Sequence, residues 1–143
     1  MGELHQDVAD VLVRYATGID RRDWALFRTC FTDDCDADYG DIGRRQGADA
    51  ITRWMTRMHE ACGHTLHRIT NVVVTPIGDG DDADRVAARS YVDALVLGAD
   101  NRSGVRAAGF YDDELVCRDG RWRIARRRFT MVLAQPVADG SAP

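Results

Sequence analysis

Four long segments in the second half of this chain, Thr65 to Pro76, Arg85 to Leu97, Val105 to Arg118 and Arg121 to Leu133, are rich in β-branched and aromatic residues. That composition suits strands on a pleated, half-buried surface. Turn chemistry separates them: Gly78 to Asp82, then Gly98 to Gly104, then the tight pair Asp119-Gly120. Such breaks join antiparallel neighbours. Strands this long must share one sheet, and the residues upstream must cover one of its faces.

Upstream the period is helical. Leu4, Val8, Val11, Leu12, Tyr15 and Ile19 recur at three- and four-residue steps, the apolar stripe of an amphipathic helix. Gly18 and the charged run Asp20 to Asp23 end it, and Asp23 reads as the N-cap of a second, shorter helix carrying Trp24, Leu26, Phe27 and Phe31. Cys35 to Gly40 reads as a short extended piece. From Gly47 to about Cys62, Ile51, Trp54, Met55 and Met58 mark a third helix, with Gly63 as its stop. The expectation is an α+β fold, a cone-shaped curved antiparallel sheet with three N-terminal helices on its concave face. One domain spans residues 1–135, and residues 136–143 form a disordered tail. Three short helices cannot fill a strongly bent sheet, so a pocket is expected between the layers.

At 143 residues and 45% apolar content the chain can bury one core. A net charge of −4 gives no electrostatic reason for a nucleic-acid partner. Arg126, Arg127 and Arg128 lie inside a strand pattern and divide between its two faces. Cys30, Cys35, Cys62 and Cys117 form no C-x-x-C pair and have no histidine at zinc-finger spacing, so reduced thiols are expected. No apolar run reaches membrane-spanning length. The opening Met-Gly-Glu-Leu-His-Gln lacks signal-peptide character, which makes the cytoplasm the default compartment. Asp34, Asp36 and Asp38 resemble a calcium loop superficially, but Tyr39 stands where glycine is needed and Arg45 where glutamate is. His64 and His67 face opposite sides of a strand and cannot share a metal. Nucleotide-binding glycine motifs and the G-x-S-x-G elbow are missing. No metal or cofactor is expected.

Candidate chemistry centres on His67. Strand alternation places Thr65, His67, Ile69, Asn71 and Val73 on one face, so the imidazole points inward with Ile69 and Val73. A buried neutral histidine whose other nitrogen is held by a carboxylate acts as a general base. Asp20, at the end of the first helix, supplies that carboxylate if the helix end lies against this strand; otherwise the pair is a core histidine and a capping aspartate. Tyr15 on the buried stripe and Tyr39 could each donate a hydrogen bond to a substrate oxygen or simply pack. Asn71 is a candidate amide donor or a turn residue. Tyr91 and Asp93 share a face, and Arg126 and Arg128 share the face of Trp122 and Ile124. Those arginines either continue the inner face, paired with Asp93 or a substrate anion, or are turned to water by a bulge or the sheet edge.

The strings Tyr15 to Trp24, Phe31 to Asp34, His64 to Asn71, Phe110 to Leu115 and Asp119 to Ile124, in this order and spacing, resemble the SnoaL-like branch of the NTF2-like superfamily. Within it the resemblance is to scytalone dehydratase, bile-acid 7α-dehydratase and lindane dehydrochlorinase. It implies an Asp20–His67 dyad assisted by Tyr15, with Tyr39, Asp93 and Arg128 contacting substrate; Asn71 and Trp54 complete the expected substrate-binding set. The implied function is a cofactor-independent dehydratase-type β-elimination on a small hydrophobic, polyketide-like or steroid-like molecule. Polyketide cyclisation or isomerisation, and a non-catalytic ligand-binding or assembly module, are the alternatives. The exposed sheet face of such folds pairs with another subunit, which implies a homodimer or homotrimer. Leu95, Gly109 and Tyr111 replace auxiliary residues of scytalone dehydratase, and Tyr39 stands at the general-base position of ketosteroid isomerase. Both departures count against those two substrates.

Overall fold

The computed structural model describes residues 2–78 and 84–139. Helix α1 (Gly2–Asp20) and helix α2 (Trp24–Arg28) lead into β1 (Phe31–Asp38), a single 3-10 turn (Gly40–Ile42), β2 (Arg44–Gln46) and α3 (Ala48–His59). Four long strands follow, β3 (Cys62–Pro76), β4 (Arg85–Gly98), β5 (Ser103–Arg118) and β6 (Arg121–Ala138). They form one curved, unclosed sheet in the order β2-β1-β6-β5-β4-β3.

The expected stripe of α1 is the one that packs: Val8, Val11, Leu12, Tyr15 and Ile19 are buried. Asp23 caps α2 as read from the sequence, its Oδ1 accepting the Leu26 N–H at 3.0 Å. Gly18 lets the two helices meet, because a Cβ there would lie 2.9 Å from the Phe27 backbone. Phe31 leaves α2 and opens β1, and α3 stops at His59, three residues before Cys62.

The four long strands pair antiparallel in sequence order. The addition is at the other edge, where β1 runs parallel to β6 and β2 antiparallel to β1, so the sheet is mixed. β6 also continues through Pro136–Ala138, paired with Val105, Gly104 and Ser103, where the sequence suggested a tail from 136. Proline is tolerated there because β1 pairs with β6 no further than Arg128, and among the described residues the outer edge of β6 beyond it has no ladder partner. Residues 140–143 and most of the Gly78–Asp82 turn lie outside the described residues.

Bulges set the curvature and change which side chains face inward. Asn71 and Val72 together oppose Ser90, and Asn71 has φ 54°. Ala125 is an extra residue between the pairs Leu115–Ile124 and Glu114–Arg126. Inward parity on β6 therefore passes from Trp122 and Ile124 to Arg127, Phe129 and Met131. The outer face of the sheet is tied by cross-strand ion pairs, including Arg68–Asp93–Arg106 and Arg89–Asp112.

Candidate active site

The end of α1 lies against β3, and this brings Asp20 to His67. Asp20 Oδ1 accepts from His67 Nδ1 at 2.7 Å and from the Thr65 hydroxyl at 2.9 Å, while Oδ2 accepts the His67 backbone N–H at 2.8 Å. Burial alone would push this carboxyl up. The hydrogen bonds from the His67 side chain and backbone outweigh it and hold Asp20 below its ordinary range. An ionised carboxylate at Nδ1 fixes the proton on that nitrogen, so the neutral ring carries its lone pair on Nε2. Arg22, in the turn after α1, braces the arrangement by donating to the Thr65 hydroxyl at 2.9 Å and to the Gly63 and Ile19 carbonyls at 2.5 and 2.8 Å.

His67 opens onto a cavity of about 170 Å³ between α1, α3 and the sheet. Its walls are mainly apolar, with Ile19, Trp54, Met55, Val92, Phe129 and Met131 among them. Three phenols enter it. Tyr15 and Tyr39 share a hydrogen bond at 2.6 Å, and Tyr111 packs edge-on to Tyr15. Burial pushes all three hydroxyls above their usual range, which keeps them protonated. Behind them Arg127 is fully buried. It makes a bidentate pair with Asp113 at 2.8 Å on both arms, and its guanidinium carbon lies 4.3 Å from the Tyr15 ring and 3.7 Å from the Tyr111 ring. Among the described residues, its buried Nη1 has no hydrogen-bond partner. A larger polar hollow of about 610 Å³, lined by Arg85, Arg118, Arg121 and Arg123 with Asp33 and Asp34, contains no member of the Asp20–His67 pair.

The structure thus gathers His67, Asp20, Tyr15, Tyr39 and Trp54 in one place. It does not bring Asn71, Asp93 or Arg128 there. Asn71 is exposed in the β3 bulge, which also turns Val73 outward and Val72 inward. Asp93 points to the outer face, where hydrogen bonds from Arg106 and then Arg68 lower its carboxyl to about 2. Arg128 is exposed because the Ala125 bulge reversed the parity of β6. Sequence reasoning passed over Arg127 for the same reason, since strand alternation contains no mark of a bulge. It also passed over Arg22 and His59. His59 carried a readable signal, its i, i+4, i+8 spacing with Met55 and Ile51 on the buried side of α3. All four cysteines are free thiols, and burial pushes Cys30 up to about 11 and Cys35 to about 12. Among the described residues, no three histidine, cysteine, aspartate or glutamate side chains are grouped to hold a metal. Among the same residues no helix is long and apolar enough to cross a membrane.

Comparison with known proteins places the chain. A family model described as the SnoaL-like domain matches residues 3–128. No curated protein matches by sequence. Among solved structures, a provisionally named scytalone dehydratase from Novosphingobium aromaticivorans is 21% identical with a TM-score of 0.81, over 96% of this chain and 94% of that one. A type 2 hexachlorocyclohexane dehydrochlorinase is 22% identical with a TM-score of 0.83, over 96% and 92%. ActVI-ORFA from Streptomyces coelicolor is 21% identical with a TM-score of 0.76, over 91% and 98%.

Proposed function

The chain belongs to the SnoaL-like domain family, and from that premise we propose that its cavity carries out a cofactor-independent, dehydratase-type β-elimination on a small hydrophobic substrate. The supporting observation is the 2.7 Å contact between Asp20 Oδ1 and His67 Nδ1, which leaves a lone pair on Nε2 facing an apolar cavity. In this reading His67 Nε2 removes a proton from the carbon next to a carbonyl. Asp20 holds the ring and stabilises the imidazolium that forms. The carbonyl oxygen, turning into an enolate, accepts the free proton of the Tyr15–Tyr39 pair, whose other proton stays in the hydrogen bond between the two phenols, with the Arg127 charge behind them. The electron pair then expels the β-hydroxyl, which takes the proton from the His67 imidazolium and departs as water, restoring the neutral ring.

Cavity size narrows the substrate. At about 170 Å³ with mainly apolar walls, the cavity suits a small hydrophobic molecule. The names of two structural neighbours, a dehydrochlorinase and a dehydratase, agree with elimination as the reaction class. A homodimer or homotrimer joined through the outer sheet face belongs to the same proposal, supported by the exposed Leu66 and Tyr91 on β3 and β4.

The test is a panel of one- and two-ring β-hydroxy ketones, followed by absorbance of the conjugated product. His67→Ala and Asp20→Asn should each lower turnover by ~10²-fold or more while circular dichroism stays native. Undiminished turnover in both variants would overturn the dyad. Cyclised or isomerised products would keep the base and replace the elimination.

A further inference from the structure

His59 ends the buried stripe of α3 and lines the same cavity as His67, with the two ring centroids 6.4 Å apart. Its Nδ1 lies 2.8 Å from the Met55 carbonyl oxygen. A carbonyl can only accept, so Nδ1 carries the proton and Nε2 is a bare lone pair in the neutral ring. The ring is packed against Trp24, centroid to centroid 5.8 Å, and its residue is 9% exposed. Among the described residues no hydrogen bond reaches Nε2.

The charged or titratable groups that act on this ring are Arg22, His67 and Asp20, and Cys62 and the three phenols line the same cavity. Burial first, and then the Arg22 charge, hold the His59 imidazole below its ordinary range, against the opposing Met55 hydrogen bond. It therefore remains an acceptor at neutral pH. The cavity holds two bare imidazole nitrogens and three phenols in an otherwise apolar wall. A ligand without a donor would shield His59 Nε2 from water and leave it unpaired, which costs affinity.

We propose that His59 Nε2 is a specificity-determining acceptor, which selects substrates carrying a neutral hydroxyl about one ring away from the carbon that His67 deprotonates. This rests on the reading of the cavity as the active site. It does not depend on which reaction follows proton removal.

Binding of p-cresol and p-xylene tests it, because the two differ by one hydroxyl in place of a methyl. NMR titration of the wild-type chain should show p-cresol bound about tenfold more tightly than p-xylene. His59→Leu should remove that preference by weakening p-cresol about tenfold while leaving p-xylene within about twofold. His67→Ala should keep it. In the wild-type chain the ¹⁵N signal of His59 Nε2 should move toward the protonated side when p-cresol is added, a readout that survives if the leucine variant fails to fold. A wild type that binds both alike, a preference that persists in His59→Leu, or one that vanishes in His67→Ala overturns the proposal. Loss of elimination in His67→Ala with the p-cresol preference intact concerns the dyad alone, so the two failures separate.

Discussion

Replacing Asp20 by asparagine should damage stability and proton placement together, and both can be measured without a substrate. The carboxylate accepts three hydrogen bonds, two from His67 and one from Thr65. An amide presents one oxygen and one NH₂, so at least one of those donors must face N–H. One charge-assisted bond is lost, worth ~1.5–3 kcal/mol, and the others weaken to neutral strength, giving about 2–4 kcal/mol of destabilisation. For a chain of this length that is a fall in Tm of roughly 5–15 °C. If the NH₂ turns toward Nδ1, the His67 proton must move to Nε2, and the lone pair disappears from the cavity. The effect also has a pH signature. Asp20 is held below its ordinary value of 3.8, so the unfolded chain takes up its proton more readily than the folded one. The stabilisation is complete above about 3.8 and is lost as pH falls through the lower folded value. Urea denaturation from pH 7 down to pH 3 should show the wild-type advantage shrinking at the acid end. ¹⁵N-detected imidazole spectra should place the His67 proton on Nδ1 in the wild type. An Asp20→Asn chain with wild-type stability and unchanged His67 ring signals would refute this reasoning.

Two further outcomes follow from buried titratable groups. Arg127→Met leaves the Asp113 carboxylate buried without its bidentate partner and should cost about 3–5 kcal/mol in urea denaturation. The double change Arg127→Met with Asp113→Leu should cost less than the single change, and a double cost equal to or above the single one contradicts the pairing argument. His59, lowered from 6.5 mainly by burial, is protonated more readily in the unfolded chain. Its stabilising contribution is whole above pH 6.5 and declines as pH falls through the folded value. His59→Gln should therefore flatten the stability curve of the wild type below pH 6.5, and identical slopes for the two chains would rule out a buried neutral imidazole.

Much of the fold was legible because amphipathic period and turn chemistry are local properties. The stripe of α1, the Asp23 cap, and the four long strands with their turns follow from side-chain spacing that no distant contact needs to supply. The parallel pairing of β1 with β6 was not legible, since it joins segments some ninety residues apart and leaves no mark in either. Nor was the bulge at Asn71, and the one at Ala125 stood only as one of two readings for Arg126 and Arg128; each reverses strand parity beyond it. Those bulges account for Asn71 and Arg128 facing away from the cavity and for Arg127 lying beneath Tyr15 and Tyr111.

The sequence by itself determined which residues had the chemistry to matter: a histidine on an inward strand face, an aspartate closing a helix, and phenols on buried stripes. Only tertiary structure decided that α1 ends against β3 with Asp20 2.7 Å from His67, and that His59 enters the same cavity from α3. The physical reason is that residue type and period are carried along the chain, whereas a hydrogen bond across 47 positions exists only once helix and sheet have packed.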